Sequence, residues 1–227
     1  MHPGDRAMAS PVIVPFGDDA VLVDLREPPG LRSARRARML AGALQALRTG
    51  MPGLGEPIAA AANVLLPFDA LLLDPERVTA LVEPLLLVLP ADPGPTPGAR
   101  EHRIEVAYGG EAGPDLVTVA AETGLAPDEV VALHASVEYE VLFLGFAPGF
   151  AYLGELPDAL RVARLATPRV RVPAGSVAIA GGATAAYPQA SPGGWRLLGA
   201  TSTRLFDPGA VEPALLRPGD LVRFVPV

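Results

Sequence analysis

The sequence contains no cysteine and no lysine, and all 18 of its basic residues are arginine. Without cysteine there is no thiol nucleophile, no thiolate zinc site and no disulfide framework. Without lysine there is no P-loop lysine for nucleotide phosphates, no Schiff-base amine, no biotin attachment point and no Ser–Lys hydrolase pair. Arginine cannot substitute where a base must lose its proton, because its pKa stays above about 12. Long hydrophobic runs are also missing. The apolar stretch at 85–89 is far shorter than the roughly 20 residues a bilayer span needs. Residues 1–16 carry Asp5 and Pro11, with no basic segment leading into an apolar core, so no signal peptide is read there. A soluble, cytoplasmic protein without membrane association is expected. The formal charge of −7 opposes nucleic-acid binding, which needs basic surface to displace counterions. The one basic cluster, Arg32, Arg35, Arg36 and Arg38, falls at helical spacing with Met39, Leu40, Leu44 and Leu47 and reads as a solvated helix face. Of the three histidines, His2, His102 and His134, no two share metal-ligand spacing on one element, so no protein-held metal is expected.

Half of the 227 residues are hydrophobic, ample for a buried core, and 24 glycines with 26 prolines suit short strands joined by many turns. Residues 1–89 read as a small α+β unit. A strand at 19–25 follows the Gly17-Asp18 turn, and an amphipathic helix spans 31–48. A strand pair is expected at 63–66 and 70–73, and a second helix at 75–87. Residues 90–100 read as a linker, since four prolines within 90–98 can neither continue a helix nor enter a central strand. In residues 101–227 a strand at 103–108 precedes two short helices at 114–123 and 127–135, with Pro in the first turn of each. Strands at 137–146, with a break at Gly145, at 170–180, interrupted at Pro173, and at 195–199 and 221–225 follow. Many short strands with Gly/Pro turns predict a barrel or sandwich.

Three loops carry the chemistry. Gly145-Phe146-Ala147-Pro148-Gly149-Phe150-Ala151-Tyr152 sets three aromatics among turn residues. Pro173-Ala174-Gly175-Ser176-Val177-Ala178-Ile179-Ala180-Gly181-Gly182 is the second, and Ser191-Pro192-Gly193-Gly194-Trp195 holds the only tryptophan. Glycines let a ligand approach the backbone and free N–H donors, while aromatics supply apolar walls. The loops form either a ligand groove or barrel corners plugged by their own rings. The sequence does not decide between the two.

These residues resemble the family called the 5-oxoprolinase B subunit, allophanate hydrolase subunit 1 or the kinase inhibitor KipI. The resemblance runs from Tyr108-Gly109-Gly110 and Gly113-Pro114-Asp115-Leu116 through Leu133-His134, 143–153, Pro168-Arg169, 172–181, Tyr187-Pro188 and 191–195. It closes with Leu205-Phe206-Asp207-Pro208 and 215–225. It implies an α+β protein, with a small N-terminal α+β domain followed by a C-terminal cyclophilin-like β-barrel. Prolyl isomerase activity is not implied. It also implies one component of a larger 5-oxoprolinase, joining the enzyme's C subunit and its A subunit to open 5-oxoproline to glutamate, with ATP as co-substrate. The KipI likeness leaves an alternative, a regulator that inhibits a sensor histidine kinase through its barrel. Two departures stand out: Ala183-Thr184-Ala185 replaces the family's Gln-Thr-Gly, and Ala163-Arg164-Leu165 its Pro-Arg-Arg.

The substrate-binding candidates are Phe146, Pro148, Gly149, Phe150, Tyr152, Arg169, Pro173, Gly175, Ser176, Gly181, Thr184, Tyr187, Ser191, Gly193, Gly194 and Trp195. Ser176 lacks a Gly-x-Ser-x-Gly elbow and has no lysine to activate it, so it reads as a loop hydroxyl. His134 reads as a capping or packing residue at a helix end, and His102 as a solvated one. Arg164, Arg169, Arg171, Arg196 and Arg204 could bind a carboxylate or phosphate bidentately, with Arg169 preferred. No catalytic acid or base is identifiable.

Overall fold

The computed structural model describes residues 10–227, so His2 and Asp5 lie outside the described residues. In chain order the elements are β1 (Val12–Pro15), β2 (Ala20–Asp24), α1 (Leu31–Leu47), β3 (Ile58–Ala59), β4 (Asn63–Pro67), α2 (Pro75–Val88) and β5 (Glu101–Tyr108). There follow α3 (Leu116–Thr123), α4 (Pro127–Ser136), β6 (Glu138–Leu144), β7 (Ala151–Gly154), β8 (Arg169–Val172) and β9 (Ser176–Ala180). The last are β10 (Ala183–Ala186), β11 (Ser191–Gly193), β12 (Arg196–Ala200) and β13 (Leu221–Pro226). The chain divides into two compact units, one ending at Pro95 and one beginning at Thr96. The fold is α+β with a closed barrel.

The first unit is an antiparallel sheet in the order β1-β2-β4-β3. Strand alternation sends Val21, Val23, Val64 and Leu66 to the face covered by Leu40 and Leu44 of α1 and Val78 and Val82 of α2. Val14, Leu22, Leu65 and Ile58 stand in register across all four strands on the opposite face. Val14 and Ile58 are exposed, as is Phe16 just beyond β1. Asp74 starts α2 by accepting from the Arg77 N–H at 2.7 Å, with Pro75 at the first helical position.

Two expectations for this unit need correction. Residues 70–73 form a turn rather than a strand. The Asp69 carboxylate accepts from the Leu71 N–H at 2.9 Å, and its carbonyl accepts from Leu72 and Leu73, a closure that short acidic side chains favour. Arg36 is not solvated: it is buried against Glu27, to which Arg32 also pairs.

The second unit closes a seven-stranded barrel in the order β10-β7-β6-β13-β5-β12-β9, with β9 returning to β10. Every pair is antiparallel except β5 with β13, which run parallel from Leu221 opposite Glu101 to Pro226 opposite Val106. Ile104, Tyr139, Val141, Leu153, Val177, Ile179, Leu198 and Phe224 fill the interior, and Val119 of α3 and Val130 of α4 join them. The interruption expected at Pro173 within 170–180 is a full corner over residues 173–175, and the two halves are strands of different sheets. β8 pairs only with β11, while β9 is part of the barrel wall. At the mouth of the parallel pair, the buried Asp220 carboxylate accepts from Arg100 at 2.6 Å and bonds His102 Nε2 at 3.0 Å. These contacts, with a third from the Arg217 N–H, hold the Asp220 pKa below its usual value despite burial. His102 is therefore a paired residue, contrary to the solvated reading.

Candidate functional site

The site begins with an asymmetry of side-chain size. On β9 and β10, Val177, Ile179, Thr184 and Ala186 turn toward the barrel interior, and the alternate positions Ala178, Ala180, Ala183 and Ala185 point outward. Four methyl groups leave a shallow floor, and large rings settle on it. Phe150, Tyr187 and Trp195 pack there with Val172 and Leu197. Phe150 lies 5.2 Å from Tyr187 and 5.8 Å from Trp195, and Tyr152 lies 5.7 Å from Trp195, all edge to face, the arrangement that ring quadrupoles favour. The three loops thus meet in one aromatic layer on the outer wall of the barrel.

Both readings of the loops are partly realised. Trp195, Phe150 and Tyr187 are buried against one another, as plugging rings are. Phe146 is 63% exposed, 5.3 Å from Phe150, and has a φ of +69°. A bulky residue in that region is strained, and such strain clusters at binding sites. Pro148, on the same loop, is exposed too. Gly149 has a φ of +78°, and a Cβ there would come within 2.7 Å of Phe206 Cβ. Gly149→Ala is expected to destabilise the barrel unit by about 2 kcal/mol or more. Urea unfolding followed through Trp195 fluorescence measures this, and an unchanged midpoint would contradict it. Gly193 gives room to the Tyr187 hydroxyl, which any Cβ at 193 would strike.

Arg169 donates to Asp115 at 2.7 Å and to the Trp195 carbonyl at 3.4 Å. The other Asp115 oxygen accepts from the Leu197 N–H at 2.7 Å. Arg169 thus braces the third loop from behind, with its charge already matched. Arg196 is paired with Glu122 and Arg204 with Asp207. Arg164 lies over the Trp195 ring, 5.8 Å from its centroid.

The remaining candidates separate cleanly. Gly175 donates its N–H to the Tyr187 carbonyl, Pro173 opens the same corner, and Gly181 sits exposed at the β9–β10 turn. Ser176 is buried at the start of β9. The Ser191 hydroxyl is buried with no hydrogen-bond partner among the described residues, and the Gly194 carbonyl accepts from Leu165. Thr184 does not face the aromatic layer, contrary to expectation. It is fully buried inside the barrel, where its hydroxyl bonds His134 Nε2 at 2.9 Å and donates to the Ala178 carbonyl at 3.0 Å. His134 is a core residue. Its Nδ1 bonds the Tyr108 hydroxyl at 2.7 Å, its ring stacks on Phe224, and burial pushes its pKa down to about 3. Burial raises the Tyr152 and Tyr187 pKa values, and the nearby Arg164 charge pulls both back. Ala185 lies in regular β10, so replacing the family's glycine leaves the backbone undisturbed. Among the described residues, no cluster of His, Asp and Glu could hold a metal ion, and no helix is long and apolar enough to cross a membrane.

The barrel and the small helix-backed sheet together fall within a known class of protein. Residues 11–216 match the carboxyltransferase domain, subdomain C and D. The 5-oxoprolinase B subunit of Escherichia coli O157:H7 is 47% identical over 93% of this chain and 94% of its own length. That of Haemophilus influenzae is 37% identical over 94% and 96%. A conserved uncharacterized protein from Pyrococcus horikoshii is 38% identical over 95% of this chain and 97% of its own, with a TM-score of 0.55. Urea carboxylase from Kluyveromyces lactis, at 21% identity and a TM-score of 0.75, shares the fold, with 96% of this chain covering 22% of that one. A further solved protein, 40% identical with a TM-score of 0.78, is also much longer, and the present chain spans 40% of it. The chain belongs to the carboxyltransferase subdomain C and D family, in the group of the 5-oxoprolinase B subunit.

Proposed function

We propose that the chain is a cytoplasmic, non-autonomous component of an ATP-dependent 5-oxoprolinase. With the enzyme's C subunit and A subunit it opens 5-oxo-L-proline to L-glutamate. The observation that carries this reading is the 47% identity to a 5-oxoprolinase B subunit over 93% of this chain and 94% of that one. The site chemistry supports it. The packed rings offer an apolar wall to a five-membered lactam, and the adjoining Arg164 guanidinium suits an acid. ATP enters as co-substrate of the complex, since a chain without lysine has no P-loop. A protein made for assembly should leave apolar surface uncovered, and the row of Val14, Leu22, Leu65 and Ile58 with exposed Phe16 is such a surface.

The test is co-expression with both companion subunits, followed by an assay of ATP-dependent glutamate release from 5-oxoproline. Activity is expected only when all components are present. Full turnover from mixtures omitting this chain, or from this chain by itself, would defeat the proposal.

A further inference from the structure

Ten arginines lie in the barrel unit, and most of their charges are already answered by a carboxylate. Arg100, Arg161, Arg169, Arg196, Arg204, Arg217 and Arg223 each pair with Asp or Glu. Arg103, Arg164 and Arg171 are exposed and make no ion pair among the described residues, and of these three Arg164 is the one that lies over an aromatic ring, that of Trp195. The position of Arg164 is not left to chance. The Leu165 N–H donates to the Gly194 carbonyl at 2.7 Å, and Arg196 donates to the Ala163 carbonyl at 3.2 Å. The segment carrying Arg164 is therefore tied on both sides of that residue to the loop that presents Trp195. The Arg164 charge also lies close enough to Tyr152 and Tyr187 to be felt by both phenols.

A guanidinium lying on an indole keeps its edge donors free while its face is held. Its planar fork matches the two oxygens of a carboxylate, and an unpaired cation beside an aromatic wall offers that match without first breaking a protein ion pair. We propose that Arg164, seated on Trp195 beside Tyr152 and Tyr187, is a carboxylate-binding subsite that selects small cyclic acids over the corresponding neutral lactams. In this arrangement Arg169 is a positioning residue: it holds Asp115 and the Trp195 carbonyl, and does not meet the ligand. The ring of the acid rests against the aromatic layer and its carboxylate turns to Arg164. The choice of a cyclic acid rests on the 5-oxoprolinase reading; the carboxylate preference rests on Arg164 and Trp195 alone.

Trp195 is the only tryptophan, so its fluorescence reports the subsite directly. The full chain is titrated with 5-oxoproline, 2-pyrrolidinone and inorganic phosphate, in wild type, Arg164→Gln and the charge-matched control Arg223→Gln. Saturable quenching by 5-oxoproline is expected in wild type and in R223Q, at least tenfold weaker in R164Q and at least tenfold weaker for 2-pyrrolidinone. Equal responses to lactam and acid, a phosphate response as strong as that to 5-oxoproline, an unchanged R164Q titration, or no saturable response to 5-oxoproline would each overturn the proposal. In the assembled complex, R164Q should raise KM for 5-oxoproline at least tenfold with kcat changed little. A wild-type KM there would defeat the subsite while leaving the 5-oxoprolinase reading intact. Carboxylate-selective quenching by a chain whose complexes never release glutamate would do the reverse.

Discussion

Acidification from pH 6.5 to 4.5 is expected to cost the barrel unit about 2 kcal/mol through His134 alone, with the slope rising to about 1.4 kcal/mol per pH unit once the unfolded imidazole is fully protonated. In the unfolded chain this imidazole takes up a proton as the pH falls through 6.5. In the folded barrel, complete burial holds it neutral down to about 3, because no solvent and no carboxylate meets either ring nitrogen. One bonds Tyr108 and the other Thr184. The unfolded state thus binds the extra proton first, and stability falls across the window between the two values. Asp220, whose pKa is depressed, contributes with the same sign, but its stabilisation is lost only near and below its ordinary value of 3.8. Urea unfolding at pH 7.5, 6.0, 4.5 and 3.0, read through Trp195, separates the two windows. His134→Gln should flatten the upper one. A midpoint constant between pH 6.5 and 4.5 in the wild type would show that the histidine is not held neutral.

Trp195→Ala should lower stability by about 3–5 kcal/mol, the usual range for deleting a large buried aromatic, and reduce activity of the proposed 5-oxoprolinase complex at least tenfold. The ring is 6% exposed and packs edge to face on Phe150 and Tyr152, so its removal leaves a hole in the layer. Arg164 loses its support in the same step. Trp195→Phe keeps part of the contact and should lose markedly less of both. Calorimetry of the two variants, beside glutamate release from the complex, tests the pair of effects. A melting temperature for Trp195→Ala within about 2 °C of wild type would mean that the aromatic layer is not a packed unit.

Much of this fold is legible in the sequence because its signals are local. Pro75 and Pro127 mark helix starts, Gly124 takes the left-handed stop of α3, and apolar alternation gives 103–108 and 221–225. The misread elements depend on partners distant in the chain. The apolar Ala70–Leu71–Leu72–Leu73 run looks like a strand until Asp69 bends it into a turn. Residues 170–180 look like one strand interrupted at Pro173 until β8 finds β11 and β9 finds β10 and β12. The aromatic corners announce the site through Gly, Pro and ring content. What their spacing cannot disclose is the alanine floor beneath them, since Ala178, Ala180, Ala183 and Ala185 acquire meaning only when two adjacent strands turn the same face outward. Thr184 shows the converse. It lies between two of those alanines, yet alternation aims it at His134 inside the barrel. Arg169 and Arg164 are equally basic in sequence, and only the position of Asp115 separates the brace from the unpaired cation.

The parallel seam between β5 and β13 has a consequence for biosynthesis. Ile104 waits for Phe224, 120 positions later, before the wall can be completed, and β6 has no second neighbour until the same moment. During translation the barrel must persist as an open curl with two raw edges until residues 221–226 clear the ribosome. Loop closure over such a distance is slow, and exposed edges invite pairing with other chains. The nascent barrel is therefore most vulnerable to aggregation just before residues 221–226 emerge, when the rest of its wall is already present.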